Sequence, residues 1–292
     1  METKKVDQHT TRRFPPRKAT AVFFDKASLV RYEQDGYRIT TLPPFLKFRG
    51  LDIPWDSMED LSDEAECVNK YSASRKVVHL AAGQYGLPVE VHVKRYAIKS
   101  FIKRLLHTVR KSRAREVFDM GWKLLSKKIR TPRPVWLAEA KGAMARFSIL
   151  ATESLPGAES AYDRWSRCTN DRQRAELLTS IGQFTAMMHD AGFCHGDCKS
   201  THLLIFPNRP SVPEEFYIID LLGGGFPHVL SPLKRARNLF KLVRSFIPRQ
   251  TDSGFSPEHR RTILKAYAGS EMEADVWENW VERIGRMKGQ RV

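Results

Sequence analysis

Apolar and polar residues alternate in two neighbouring runs, Arg75-Lys-Val-Val-His-Leu-Ala-Ala82 and Val89-Glu-Val-His-Val-Lys94-Arg-Tyr96. Period-two alternation predicts two strands, with Gly83-Gln-Tyr-Gly86 as the turn of a hairpin. Val135-Trp-Leu-Ala-Glu139 and Arg146-Phe-Ser-Ile-Leu-Ala-Thr152 predict a second strand pair. Between the pairs the period changes to that of a helix. Residues 98–113 carry Phe101, Ile102, Leu105, Leu106 and Val109 near one face, with lysines and arginines over much of the rest. A further helix runs from Ser112 through Leu125. Beyond Glu153-Ser-Leu-Pro-Gly157, read as a turn and hinge, the pattern is almost wholly helical. Helices are predicted over 160–167, 171–191, 233–246, 257–268 and 273–287, with Gly192 suited to the position just past the second. Two short apolar runs, Leu203-Leu-Ile-Phe206 and Phe216-Tyr-Ile-Ile-Asp220, interrupt them as strands. Residues 21–56 hold apolar pieces broken by prolines, and 57–66 read as a short acidic helix.

Strands first and helices second make an α+β chain in two lobes: a basic tail over 1–20 expected to be disordered, a β-rich lobe over 21–152 and a helical lobe over 153–292. At 292 residues each lobe can bury its own core. No apolar run reaches membrane-spanning length, and the polar, basic amino terminus lacks the apolar region of a secretory signal. The four cysteines show no metal-ligand spacing, and free thiols of a cytoplasmic protein are expected. A net charge of +16 favours anionic partners: nucleic acid, phospholipid headgroups or phosphorylated glycans. Nucleic acid is disfavoured because no recognition motif or cluster of exposed aromatics accompanies the charge. The basic face of 98–113 could rest on an anionic membrane surface or simply be solvated.

The candidate chemistry lies in His195-Gly-Asp-Cys-Lys-Ser-Thr-His202. Histidine, aspartate two residues on, lysine two further and a metal-capable side chain three beyond follow the spacing of a phosphotransfer catalytic loop. Gly196 stands where arginine is common, and His202 where asparagine is. Asp220 closes the return strand, where a metal-binding aspartate belongs. Leu221-Leu-Gly-Gly-Gly225 follows it in place of D-F-G. Lys94, at the end of its alternating strand, is the candidate phosphate-contacting lysine. Glu116 is its candidate partner, with Glu90 and Glu139 as competitors outside any helix pattern. No G-x-G-x-x-G occurs, so a phosphate-covering loop would have to be the turn at Gly83–Gly86. Backbone groups from Glu153 to Leu155 would meet an adenine.

In this order, Val93-Lys-Arg-Tyr96, Ser112-Arg-Ala-Arg-Glu116, Thr131-Pro-Arg-Pro134, Thr152-Glu-Ser-Leu-Pro-Gly157, the His195–His202 loop, Ile219-Asp220 and Lys234-Arg-Ala-Arg-Asn-Leu239 resemble the lipopolysaccharide core kinases, the WaaP, Kdo-kinase and InaA-like group. The resemblance runs from about Arg75 to Tyr267. It implies a protein-kinase-like fold and phosphoryl transfer from ATP, with Mg²⁺ or alternatively Mn²⁺, to a heptose or Kdo hydroxyl of the lipopolysaccharide inner core. By the same likeness Asp197 is the base or hydroxyl-orienting group, and Lys199 neutralises the transferring phosphate. Asp220 and His202 hold metal, Lys94 and Glu116 form the phosphate-positioning pair, and Glu153 and Leu155 border the adenine. Asn238 stands where an acid is expected in the family's arginine-rich helix. The resemblance also implies a site of action at the cytoplasmic face of the inner membrane. The alternatives are a kinase for a protein or soluble small molecule, and a non-catalytic pseudokinase; Lys94, Asp197, Lys199 and Asp220 argue against the last.

Overall fold

The computed structural model describes residues 26–55, 75–98, 111–140, 146–247 and 254–290. The amino-terminal tail, the acidic stretch at 57–66, Cys67 and nearly all of the basic segment 98–113 lie outside the described residues.

A six-stranded antiparallel sheet forms one side of the molecule. Its strands are β1 (Val30–Gln34), β2 (Tyr37–Thr41), β3 (Arg75–Leu80), β4 (Val91–Ala97), β5 (Pro134–Ala140) and β6 (Phe147–Glu153), in the order β1-β2-β5-β6-β4-β3. Both strand pairs expected from the alternation are present, and Lys94 pairs with Val77 on one side and Leu150 on the other. The β1–β2 hairpin was not expected. Its turn is Asp35-Gly36, both in the left-handed region at φ 50° and 78°, as a tight two-residue hairpin requires.

Helix α1 (Arg113–Ser126) packs on this sheet. Ser112 caps it, its hydroxyl accepting the Arg115 N–H at 2.9 Å. Ala114, Val117, Phe118, Gly121 and Trp122 form the buried stripe, at the i, i+3, i+4 spacing of an amphipathic helix. Arg115 reaches Glu139 on β5 at 2.7 and 2.9 Å, and Glu139 also accepts the Ser112 hydroxyl at 2.7 Å. This cluster fastens the start of the helix to the sheet.

The remainder is mainly helical. Its helices are α2 (Ala161–Arg167), α3 (Asp171–Asp190), α4 (Pro232–Arg244), α5 (Pro257–Ala268) and α6 (Glu271–Met287). Helix α3 packs along α5, and α6 lies against α4 and α5. The main core is continuous from sheet to helices, running from Ile39 and Trp136 through Phe118 to Phe184 and Phe246. A smaller cluster, with Phe240, Leu264 and Val281, seals the carboxy-terminal helices, and Trp277 and Trp280 pack on it as core residues. A small antiparallel sheet, β7 (Glu159–Ser160), β8 (Leu203–Ile205) and β9 (Tyr217–Ile218), carries the candidate loop between the two larger parts. Among the described residues no helix is long and apolar enough to cross a membrane.

Candidate active site

The loop from His195 to His202 leaves α3 and enters β8. His195 is its buried pivot. Its Nε2–H donates to the Ile219 carbonyl at 2.9 Å, and its Nδ1 accepts the Asp197 N–H at 3.0 Å. A neutral imidazole makes both bonds, since a carbonyl can only accept and an amide N–H can only donate. Burial, more than any neighbour, pushes the His195 pKa down to about 4, so the ring is neutral at ordinary pH. One side chain thus ties the loop to the residue before Asp220.

His202 turns back on the same loop. Its Nδ1–H donates to the Asp197 carbonyl at 2.8 Å, which leaves the Nε2 lone pair facing Asp220 Oδ2 across 3.9 Å. The Ile219 N–H donates to the His202 carbonyl at 3.0 Å. From the sheet side, the Thr131 hydroxyl donates to the Ile218 carbonyl, and the Ile218 N–H to the Arg130 carbonyl, at 2.7 and 2.9 Å. Asp220 therefore follows a backbone held on both sides. Its own φ of 56° lies in the left-handed region, a strained setting for a non-glycine residue at a functional position.

Asp197 Oδ2 lies 2.5 Å from Lys199 Nζ, and its Oδ1 lies 3.9 Å from Lys241 Nζ. Partial burial opposes its ionisation, but the hydrogen bond and charge of Lys199, with His202 and Lys241, outweigh this and hold the carboxyl below the usual aspartate range. The result is a carboxylate with two cations beside it, able to accept a proton or orient a hydroxyl. Cys198, between Asp197 and Lys199, is fully buried, and burial pushes its thiol up to about 12, which removes it as a nucleophile.

Helix α4 braces the loop through three polar residues on one face, Asn238, Lys241 and Ser245 just past its end. Asn238 Oδ1 accepts the His195 N–H at 3.0 Å, and its Nδ2–H donates to the His195 carbonyl at 2.9 Å. Lys241 donates to the Gly196 carbonyl. Ser245 Oγ accepts the Ser200 N–H at 2.7 Å. The asparagine in place of an expected acid now has a reason. A carboxylate could accept from His195 but could not donate to its carbonyl. The sequence reading did not single out Lys241 or Ser245. Their signal was present as polar residues spaced like Asn238, at i+3 and i+7, on a helix face otherwise turned to the core.

Gly196 also finds its reason here. A Cβ on it would lie 2.4 Å from the Gly223 carbonyl carbon, so the loop and the glycine run after Asp220 touch backbone to backbone. Any side chain at 196, arginine included, would force them apart.

Lys94 and Asp220 line one cleft, with Tyr96, Val117, Thr131, Leu150, Thr152 and Leu221 among its walls. Glu153, where the sheet gives way to the helical part, is pushed up by burial against the opposing charge of Arg133. Its N–H donates to the Arg133 carbonyl, and the Ser154 N–H to the Glu90 carbonyl. Among the described backbone hydrogen bonds the Leu155 N–H finds no acceptor, while its carbonyl accepts from Ala158 at 3.1 Å.

On the sheet side, Glu116 is exposed on the first turn of α1. The buried stripe through Ala114, Val117 and Phe118 turns Glu116 outward, while the adjacent Arg115–Glu139 pair fixes the rotation of that turn. Its competitor Glu90 lies 3.5 Å from His79 instead. The turn at Gly83–Gly86 is likewise anchored elsewhere. The Tyr85 carbonyl accepts the Arg49 N–H at 2.9 Å, and a Cβ on Gly86 would strike the Lys47 carbonyl.

A search of curated sequences returns no match. Among solved structures, WaaP in complex with acyl carrier protein superposes with a TM-score of 0.55 at 20% identity, covering 80% of this chain and 92% of that one. A complex of Neurospora crassa PAN2 with the PAN3 pseudokinase gives a TM-score of 0.39 at 13% identity, covering 75% and 55%. The WaaP likeness shows a protein-kinase-like fold. The lipopolysaccharide kinase (Kdo/WaaP) family matches residues 61–267, which include the whole loop, Asp220 and α4. By that match, over most of its length, the chain belongs to the lipopolysaccharide kinase (Kdo/WaaP) family and is an ATP-dependent phosphotransferase.

Proposed function

We propose that the acceptor is a sugar hydroxyl of the lipopolysaccharide inner core, on heptose or Kdo, and that Asp197, Lys199, His202 and Asp220 carry the transfer. The observation behind this reading is the convergence of one carboxylate, Asp197, flanked by two lysines, with a second carboxylate, Asp220, facing an imidazole lone pair.

The donor set fits a divalent cation. Asp220 Oδ2 and His202 Nε2 offer two lone pairs toward one point, and no cluster of three such side chains occurs among the described residues. Two protein donors suit a cation that arrives with phosphates and keeps waters. When bound, it would offset the negative charge of the phosphates. Mg²⁺ prefers oxygen, and the imidazole makes Mn²⁺ a competent alternative. Lys94 lines the cleft with Asp220 and in this reading would contact phosphate from the sheet side. The linker at Glu153–Leu155 offers an uncommitted N–H for the adenine edge.

A sugar hydroxyl is a weak nucleophile and must be aligned before it is deprotonated. Asp197 accepts its hydrogen bond, and the proton passes to that carboxylate as the new O–P bond forms and the bond from the transferred phosphorus to the bridging oxygen of ATP breaks, releasing ADP. Lys199 and Lys241 keep Asp197 ionised and stabilise charge spreading over the phosphoryl oxygens. In this reading the protein works at the cytoplasmic face of the inner membrane, and its basic excess suits an anionic glycolipid surface.

The test is ATP consumption by purified protein with Mg²⁺ or Mn²⁺, with and without dephosphorylated core oligosaccharide. Core-stimulated turnover is expected. It should fall about a thousandfold in Asp197→Ala, while nucleotide binding changes by no more than about twofold. Full activity in the variant would sink the assignment of Asp197. Turnover indifferent to core would point to another acceptor.

A further inference from the structure

A second groove borders the catalytic loop, separate in its lining from the Lys94 cleft. Its walls are Cys194 to Gly196, the glycine run Gly223–Gly225 with Phe226 and Pro227, and α4. It encloses roughly 490 Å³, within the range of small-molecule sites. Four cations line it, Lys234, Arg237, Lys241 and Lys288, and no carboxylate does.

The cations are not equivalent. Lys241 is engaged with Gly196 and Asp197 at the inner end. Arg235, the neighbour that faces away, is bound to Asp190 at 3.0 Å. Lys234 and Arg237 are exposed and make no ion pair among the described residues. Lys288 stands past the end of α6 with its ammonium 5.1 Å from the Phe240 ring. A helix that pairs Arg235 and Lys241 internally leaves Lys234 and Arg237 aimed at a concave space. Repulsion among these cations with no acid between them is a cost that a bound anion would relieve. Phe226 and Pro227 give the groove an apolar surface on which the face of a sugar ring can lie.

We propose that this groove is the acceptor subsite and selects for an anionic group, a carboxylate or phosphate, on the sugar that bears the reacting hydroxyl or on its neighbour. The inference rests on the phosphotransfer reading above and adds a substrate requirement to it. Lys234, Arg237 and Lys288 hold the anion. Lys241 lines the groove and also lies 3.9 Å from Asp197 Oδ1, which sets an anchored sugar beside that carboxylate.

The experiment uses three acceptors: native core oligosaccharide from cells lacking this transferase, so that the reacting hydroxyl is free, the same material with its remaining phosphates removed, and the same material with its carboxylates reduced to alcohols. The enzymes are wild type and the Arg237→Ala/Lys288→Ala double variant, both positions being exposed. On native core the variant should raise the acceptor KM about tenfold or more and leave the ATP KM within about twofold. On the acceptor that lacks the recognised anion, wild type should show the same penalty and the variant little more. Whichever treatment erases the difference names the anion. An unchanged acceptor KM in the variant, or equal penalties on all three acceptors, would overturn the proposal. Calorimetric binding of the same oligosaccharides without nucleotide reads the groove separately. Binding by wild type that is lost in the variant supports it even where no transfer to core occurs, an outcome that would instead remove the functional reading. Binding unaltered in the variant, or absent in wild type, overturns the groove.

Discussion

The loop that carries Asp197 and the sheet wall that carries Lys94 are built on different terms. Between His195 and His202 both histidines are held by backbone groups, and Asp197 lies between two lysines. His195 bridges to Ile219, His202 to the Asp197 carbonyl, and Asn238, Lys241 and Ser245 brace the loop from a single helix. Across the cleft, Glu116 faces solvent, and the Gly83–Gly86 turn is bonded to Arg49, away from Lys94. The side proposed to hold acceptor and metal is thus assembled in advance, while the sheet side contributes a lysine and an apolar wall. Groups that must hold developing charge in the transition state gain most from being fixed beforehand. Groups that chiefly bind phosphate in the ground state can be completed by the nucleotide.

The largest effect should come from the preassembled side. Asp220→Asn keeps a residue that tolerates the left-handed conformation at φ 56° and removes only the charge. Transfer is expected to drop at least about a hundredfold, and metal-dependent nucleotide binding should weaken with it. Titration of nucleotide with and without the cation checks both. Metal-dependent binding that survives intact would place the cation elsewhere.

Next is the brace. Asn238→Asp is nearly isosteric, yet it deletes the donor to the His195 carbonyl and buries a charge beside His189, which is itself buried and pushed down to about 4 mainly by desolvation. A loss of about 2–3 kcal/mol in stability is expected from the unmet carbonyl and the buried carboxylate. Turnover should fall with no matching rise in ATP KM. Urea unfolding and steady-state kinetics test this together. A variant as stable and active as wild type would mean that the Asn238 bridge does not position the loop.

How much of this the sequence disclosed follows the same divide. The loop was legible because its chemistry is compressed into eight consecutive residues with fixed spacing. The helices were legible from their apolar periods, and β3 to β6 from alternation or apolar runs. Asn238 was noticed only as a departure from an expected acid, and Lys241 not at all. Their partners lie 43 to 45 residues away, and only the fold of α4 beneath the loop reveals the match. The β1–β2 hairpin was overlooked although Asp35-Gly36 is a strong turn signal. Its first strand is largely exposed and carries little apolar alternation. For Glu116 a helix period says only that it lies on the first turn of α1, while the Arg115–Glu139 contact decides which way that turn faces.

Acid should expose the difference as well. His189 and His195 are both buried in the neutral form with pKa values near 4, below the ordinary 6.5. The unfolded chain binds their protons first, so the stability present above pH 6.5 is lost as pH falls from there toward 4. Each steepens the fall by up to about 1.4 kcal/mol per pH unit within that window. His92 on β4 is pushed the same way, chiefly by burial. Urea midpoints at pH 7.5, 6 and 5, measured in wild type and in His92→Gln, separate the two sides. Most of the slope should remain in the variant, and a flat profile there would show that the loop histidines are not the acid-sensitive point.

The smallest expected effect is the sharpest test of the contrast. Glu116→Gln removes a carboxylate that the resemblance to the lipopolysaccharide core kinases would make essential for holding Lys94. In this structure that carboxylate is exposed and belongs to a helix turn fixed by Arg115 and Glu139. Its only general contribution is a favourable charge at the start of α1, about 0.3–1 kcal/mol. ATP KM and turnover should therefore stay within about twofold of wild type, whereas Lys94→Ala should raise the ATP KM about tenfold or more. A large loss in Glu116→Gln, matching that of Lys94→Ala, would mean that α1 turns inward when nucleotide binds. The sheet side would then be assembled by its ligand rather than left open, and the contrast drawn between the two walls of the cleft would hold only for the empty protein.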